Sequence, residues 1–266
     1  LSGGARVTTA TTGSGDAGDI TVRGLSGDGD TAAQSVTVSG LATDSGGAPI
    51  LDGDNQLRRS GLVSSSTLPG LTAGAAGSIG ITADRVTVAN NGQIAASTAG
   101  GQGGQVNLNT DLLEVQSSGE VTASTSDTGD GGQVNVFDDG EADNEGLVVA
   151  VTGGAINTTA SGSGDAGTVT ITADSVMVFG GSIASSSITT GDGGSVGIGA
   201  DRITVSNGGE ISASTRDGQG GQVNLNTDLL EVEGGGFVRA ETSGAGAGGQ
   251  VNVFDDGEAD NQGLMV

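Results

Sequence analysis

The sequence predicts an all-β chain wound as a right-handed parallel β-helix, a solenoid with coils of 27–28 residues and three short strands per coil. Three observations carry this. The blocks SIGIT, QVNLN, QVNVF, TVTIT, SVGIG, QVNLN and QVNVF begin their apolar alternation at Ile79, Val106, Val134, Val169, Val196, Val223 and Val251, in steps of 27, 28, 35, 27, 27 and 28 residues. Within each unit the alternation has period two, the period of a strand. A larger repeat lies above the small one: Gln105–Val149 and Gln222–Val266 match at 34 of 45 positions, 117 residues apart.

One unit shows the pattern. From Val169 it reads VTIT, AD, SVMV, FGG, SIASSS and ITTGDGG. Val169, Ile171, Val176, Val178 and Ile183 fall on one side of three short runs bounded by Gly and Asp. The runs are too short and too β-branched for helices, and the glycines weaken a helix further. Three strands per coil, in the same phase from coil to coil, stack at about 4.8 Å into three parallel sheets around a Val/Ile/Leu interior. Parallel crossovers favour the right hand. Five buried apolar side chains contribute about 1.5–3 kcal/mol each, and only when neighbouring coils cover both faces. A single coil should not fold alone.

The chain reads as one continuous segment, 1–266, of a longer array. Its super-repeats are approximately 1–149 and 150–266, and the first carries an insertion of about 32 residues within 20–79. That insertion includes LSGDGD and DSGGAPILDGDNQLRRSG, which read as surface loops grafted on one coil, either ordered or disordered. The block DITV, with Ile20, joins the series after the longer interval. Asn107, Asn135, Asn224 and Asn252 share the second position of the first strand, where stacked amides hydrogen-bond along the axis and pin register. The third strand (AAST, TAST, NTTA, ASSS, SAST, RAET) shows no regular Thr-x-Thr lattice on its outward positions, which disfavours ice binding.

Composition narrows the function. The formal charge is -24, with eight Lys and Arg in 266 residues, so nucleic acid is an unsuitable partner. No stretch approaches the roughly 20 apolar residues of a membrane-inserted helix. The chain has 54 Gly and no Cys, His, Trp or Tyr. That leaves no thiolate or imidazole chemistry and no Trp or Tyr platform for stacking sugars, so an enzyme is not expected. Acid pairs at Asp138/Asp139 recur at Asp255/Asp256, as a structural repeat would.

The densest acidic stretch is QVNVFDDGEADN, present twice. Its candidate Ca²⁺ ligands are Asp138, Asp139, Glu141, Asp143 and Glu145, then Asp255, Asp256, Glu258 and Asp260. Carboxylate oxygens in a Gly-containing loop suit that ion. The spacing departs from an EF-hand, since Asn144 holds the Gly position and Ala150 the bidentate Glu position. Two readings stay open: a calcium loop, and a solvated acidic loop retained by duplication.

The phrases GDAGTVTITADSVMV, NGGEISASTRDGQGGQVNL and VTVSGLATDSGGAP…RSGLVSSST resemble the repeat region of the filamentous-haemagglutinin-like exoproteins, especially cyanobacterial members. The resemblance covers nearly the whole chain. It implies a right-handed β-helix, two-partner secretion to the bacterial cell surface, and a role in adhesion, surface structure or extracellular matrix. The expected partners are further β-helix repeats, of the same or identical chains, end to end, and surface glycans or host or neighbouring cells. The family's Asn-Pro-containing secretion motifs have no match in these residues, and no ligand-site motif carries over. A glycan-binding or glycan-cleaving β-helix is the alternative, which a long groove of clustered acids and Arg would favour.

Overall fold

In a computed structural model, which describes residues 1–24, 32–51, 55–70, 73–140, 146–255 and 265, the periodic blocks become three parallel sheets. Sheet I holds eight strands, from Ile20–Val22 to Gln250–Phe254. Sheet II holds seven, from Val36–Ser39 to Leu229–Val232, and sheet III eight, from Arg6–Thr11 to Phe237–Thr242. Every strand pairs with its counterparts in adjacent coils, so the chain is a parallel β-helix. No helix occurs among the described residues.

The register follows the sequence phase. Ile20, Ile79, Val106, Val134, Val169, Val196, Val223 and Val251 form one column of directly paired positions in sheet I. The direct pairing of Ile20 with Ile79 places the inserted chain inside a single coil. Its described part folds back on itself through antiparallel bridges Leu41–Arg59, Thr43–Pro49 and Leu51–Leu57. The stretch LSGDGD lies outside the described residues.

Alternation decides what is inside. Val169, Val176, Val178 and Ile183 are fully buried and Ile171 nearly so, and equivalent residues continue the core above and below. Sheet III carries polar residues on both of its faces. Its third and fifth positions are the mixed outward ones, while the fourth and sixth point inward, where Thr98, Thr125, Thr158, Ser185, Ser187 and Thr215 are buried. Their hydroxyls clamp the glycine corner between sheets III and I. Thr98 donates to the Gly74 carbonyl, Thr125 to Gly101, Ser187 to Gly164 and Thr215 to Gly191, at 2.6–3.3 Å. Burial of these hydroxyls is tolerated because each has a partner within the coils, Thr158 bonding Ser185 and Ser185 the Gly167 carbonyl.

That corner also explains the recurring Gly. A Cβ added at Gly191 would sit 1.9 Å from the Gly164 carbonyl oxygen of the preceding coil. The turn between sheets II and III needs left-handed backbone, and Asn207 (φ 51°) followed by Gly208 (φ 74°) supplies it in residues that tolerate it.

The expected asparagine stack forms as two separate pairs. Asn135 donates to Asn107 at 2.9 Å and Asn252 to Asn224 at 2.8 Å. Thr170 and Gly197 occupy the intervening coils and interrupt the ladder.

Candidate functional site

The acidic stretch sits at the corner where sheet I turns into sheet II. In most coils this corner is a two-residue step ending in Asp: Ala83-Asp84, Thr110-Asp111, Ala173-Asp174, Ala200-Asp201 and Thr227-Asp228. Stacking aligns these acids in a column along the rod. Thr110 and Thr227 fix the step, each hydroxyl lying 3.0–3.2 Å from two carbonyls, those of Asp84 and Leu112 or of Asp201 and Leu229. In one coil the step is replaced by the longer loop that follows strand Gln133–Phe137.

The loop's first two acids diverge. Asp138 is exposed and accepts the Gly140 N–H at 2.8 Å, an Asx turn that starts the loop. It faces Asp174 and Asp201 across an open groove of about 520 Å³. Asp139 turns the other way and is half-buried beside Asp84 and Asp111. One oxygen of each of these three carboxylates lies within 4.8 Å of the other two. Asp111 is buried, so part of this negative charge is held away from bulk water.

Of the nine residues singled out in the sequence, the structure therefore brings Asp139 into a cluster and leaves Asp138 on the adjoining groove. Asp255 is exposed at the end of the equivalent strand. Glu141, Asp143, Glu145, Asp256, Glu258 and Asp260 lie outside the described residues. Asp84 and Asp111 were missed because neither belongs to a run of neighbouring acids. The signal that finds them is the recurrence of Asp one step before every sheet II strand except the first and the looped one. Asp201 and Asp228 stand 117 residues later at the same two places.

Chemically, three carboxylates converging at this range suit a hard cation, or repel one another when none is present. Among the described residues the cluster supplies three carboxylates, and Ca²⁺ takes six to eight oxygen ligands.

A different column of acids runs along the corner between sheets III and I. There Asp130 accepts the N–H of Asp165 at 3.0 Å, Asp165 that of Asp192 at 2.7 Å, and Asp192 that of Gln219 at 2.7 Å. Each carboxylate caps the backbone of the next coil.

A third polar feature is a groove of about 330 Å³ lined by Arg6, Gln56, Leu57, Arg59, Gln93 and Glu120. Arg59 donates to Glu120 at 2.9 Å within it.

Comparison of the chain with family models, with curated proteins and with solved structures returned no match.

Proposed function

We propose that this chain is a structural, non-enzymatic segment of a secreted bacterial cell-surface exoprotein, an elongated rod serving surface structure, adhesion or extracellular matrix. The observation that carries the reading is the use made of the repeated polar residues. The Asp column at the III–I corner, the inward Thr and Ser, and the Asn pairs all hydrogen-bond from one coil to the next. A repeat selected for catalysis would present its polar groups to a cleft; this one uses them to hold coils in register. The resemblance to filamentous-haemagglutinin-like repeats supports the surface location and export by two-partner secretion.

The terminal strands also bear on how such coils associate. Among the described residues, strands Phe237–Thr242 and Gln250–Phe254 each pair on one side only, with Phe237, Val251 and Phe254 about half exposed. Such an edge is a template for another strand. Further coils of like sequence, in the same chain or in a copy, pair there, and head-to-tail pairing of this kind propagates without closing.

A glycan-binding role is the second reading. Arg59, Glu120, Arg6 and Gln93 offer sugar hydroxyls several donors and acceptors in one groove. Titration with neutral and acidic oligosaccharides tests it, with Arg59→Ala as the control. For the main reading, an antibody raised against the chain is applied to intact cells of the source bacterium. Label on the outer surface is expected, and label reached only after the cells are broken open would overturn it.

A further inference from the structure

The outward face of sheet II is unlike the other two. Its middle strands, Val148–Thr152 and Ser175–Phe179, carry a patch of exposed apolar side chains: Val148, Met177 and Phe179 are each 40–44 % exposed, with Ala150 between them. The strands on either side carry charge in a fixed order. Arg85 lies on strand Arg85–Ala89 and Glu114 on Leu112–Gln116 on one side; Arg202 lies on Arg202–Ser206 and Glu231 on Leu229–Val232 on the other. Each Arg pairs with the Glu of the next strand, at 3.4 and 3.1 Å, and all four side chains keep a third or more of their exposure or close to it.

Read along the rod, the six strands therefore run positive, negative, apolar, apolar, positive, negative. Reversing that series changes the sign of every charged member and leaves the apolar pair in place. This property belongs to the 117-residue repeat, which copies Arg85 and Glu114 into Arg202 and Glu231 and leaves two uncharged strands between. We propose that sheet II is a docking face for a second copy of this chain, laid against it antiparallel about a two-fold axis between strands Val148–Thr152 and Ser175–Phe179.

In that arrangement Leu112–Gln116 opposes the partner's Arg202–Ser206, and Arg85–Ala89 opposes the partner's Leu229–Val232. Every Arg row faces a Glu row, and the apolar patch faces itself. The parallel alternative sets Arg85 against Arg85 and Glu114 against Glu114. Glu233, just past the last strand, falls opposite the uncharged Ala89.

Size fits a weak, specific contact. Six strands at about 4.8 Å and five residues at about 3.3 Å cover roughly 500 Å² of each copy, or about 1,000 Å² in all. That is the lower limit for a specific interface. Two-fold pairing closes after two copies, unlike the open head-to-tail contact at the strand edges.

Sedimentation velocity over a concentration series tests the proposal, at about 0.15 M salt, where a Debye length of about 8 Å screens the overall charge of the two rods. The chain is expected to show a monomer–dimer equilibrium that the Met177→Asp/Phe179→Asp variant loses without a change in melting. The Glu114→Arg/Glu231→Arg and Arg85→Glu/Arg202→Glu variants should each stay monomeric and dimerise when mixed. This second test keeps the proposal falsifiable if the first variant folds poorly. Orientation is read by a spin label at Thr37→Cys, which is unambiguous because the chain has no cysteine. Antiparallel pairing places the two labels about 35 Å apart and parallel pairing about 10 Å apart. A chain that stays monomeric into the millimolar range, an unaltered dimer of the Met177→Asp/Phe179→Asp variant, or the short distance would each overturn the proposal.

Discussion

Two columns of aspartates run along this rod, and they are used in opposite ways. At the III–I corner, Asp130, Asp165 and Asp192 each accept a backbone N–H from the following coil, so the charge has a donor supplied by the fold. At the I–II corner, Asp84 and Asp111 are joined by Asp139 from the inserted loop, and the three carboxylates face one another. The residue type and the coil repeat are the same. What each carboxylate meets differs: at the glycine corner it is an N–H of the next coil, whereas the longer loop sets Asp139 beside Asp84 and Asp111. An acid in a repeat is thus a structural device or an electrostatic cost depending on what the next coil presents to it.

The largest effect should come from the corner that makes the first column work. Gly191→Ala places a methyl 1.9 Å from a backbone carbonyl and should cost about 3 kcal/mol or more. Gly197→Ala, where nothing lies within 4 Å, should stay within about 0.5 kcal/mol. Denaturant titration of the two variants separates them, and equal losses would mean that the coils are not stacked this closely.

Next in size is the aspartate column itself. Asp165→Ala removes the acceptor of the Asp192 N–H and should lower stability by about 1–2 kcal/mol, with Asp165→Asn recovering part of the loss. At the other corner the sign reverses. Asp111→Asn relieves repulsion in the carboxylate cluster and should raise stability by about 1 kcal/mol in chelator. A loss there like that at Asp165 would show that Asp111 is also a coil-to-coil device, and the contrast between the columns would fail. Smallest is Arg85→Ala, which breaks an exposed ion pair and should change the unfolding free energy by about 0.5 kcal/mol or less.

The sequence carried the fold further than it carried the site. Val169, Ile171, Val176, Val178 and Ile183 alternate within a few residues, so strand, face and coil length could all be read locally, and the 27-residue step supplied the register. Thr98, Thr125 and Thr215 lie on the inward phase of the same alternation, but their hydrogen-bond partners could not be read locally. The carbonyl that each of them meets lies 24 residues earlier, in the preceding coil. Asp139 stood out in the sequence because its neighbours are acidic. Asp84 and Asp111 did not, because their crowding arises between coils rather than along the chain. The charge order on sheet II was hidden for the same reason: Arg85, Glu114, Arg202 and Glu231 align only once the coils are stacked.

The central claim is that these repeats build a continuous rod. Electron microscopy of the native material tests it most directly. The account predicts long filaments with a layer spacing of about 4.8 Å and a four-coil super-repeat near 19 Å. Compact isolated particles, with no filament at any salt concentration, would contradict it.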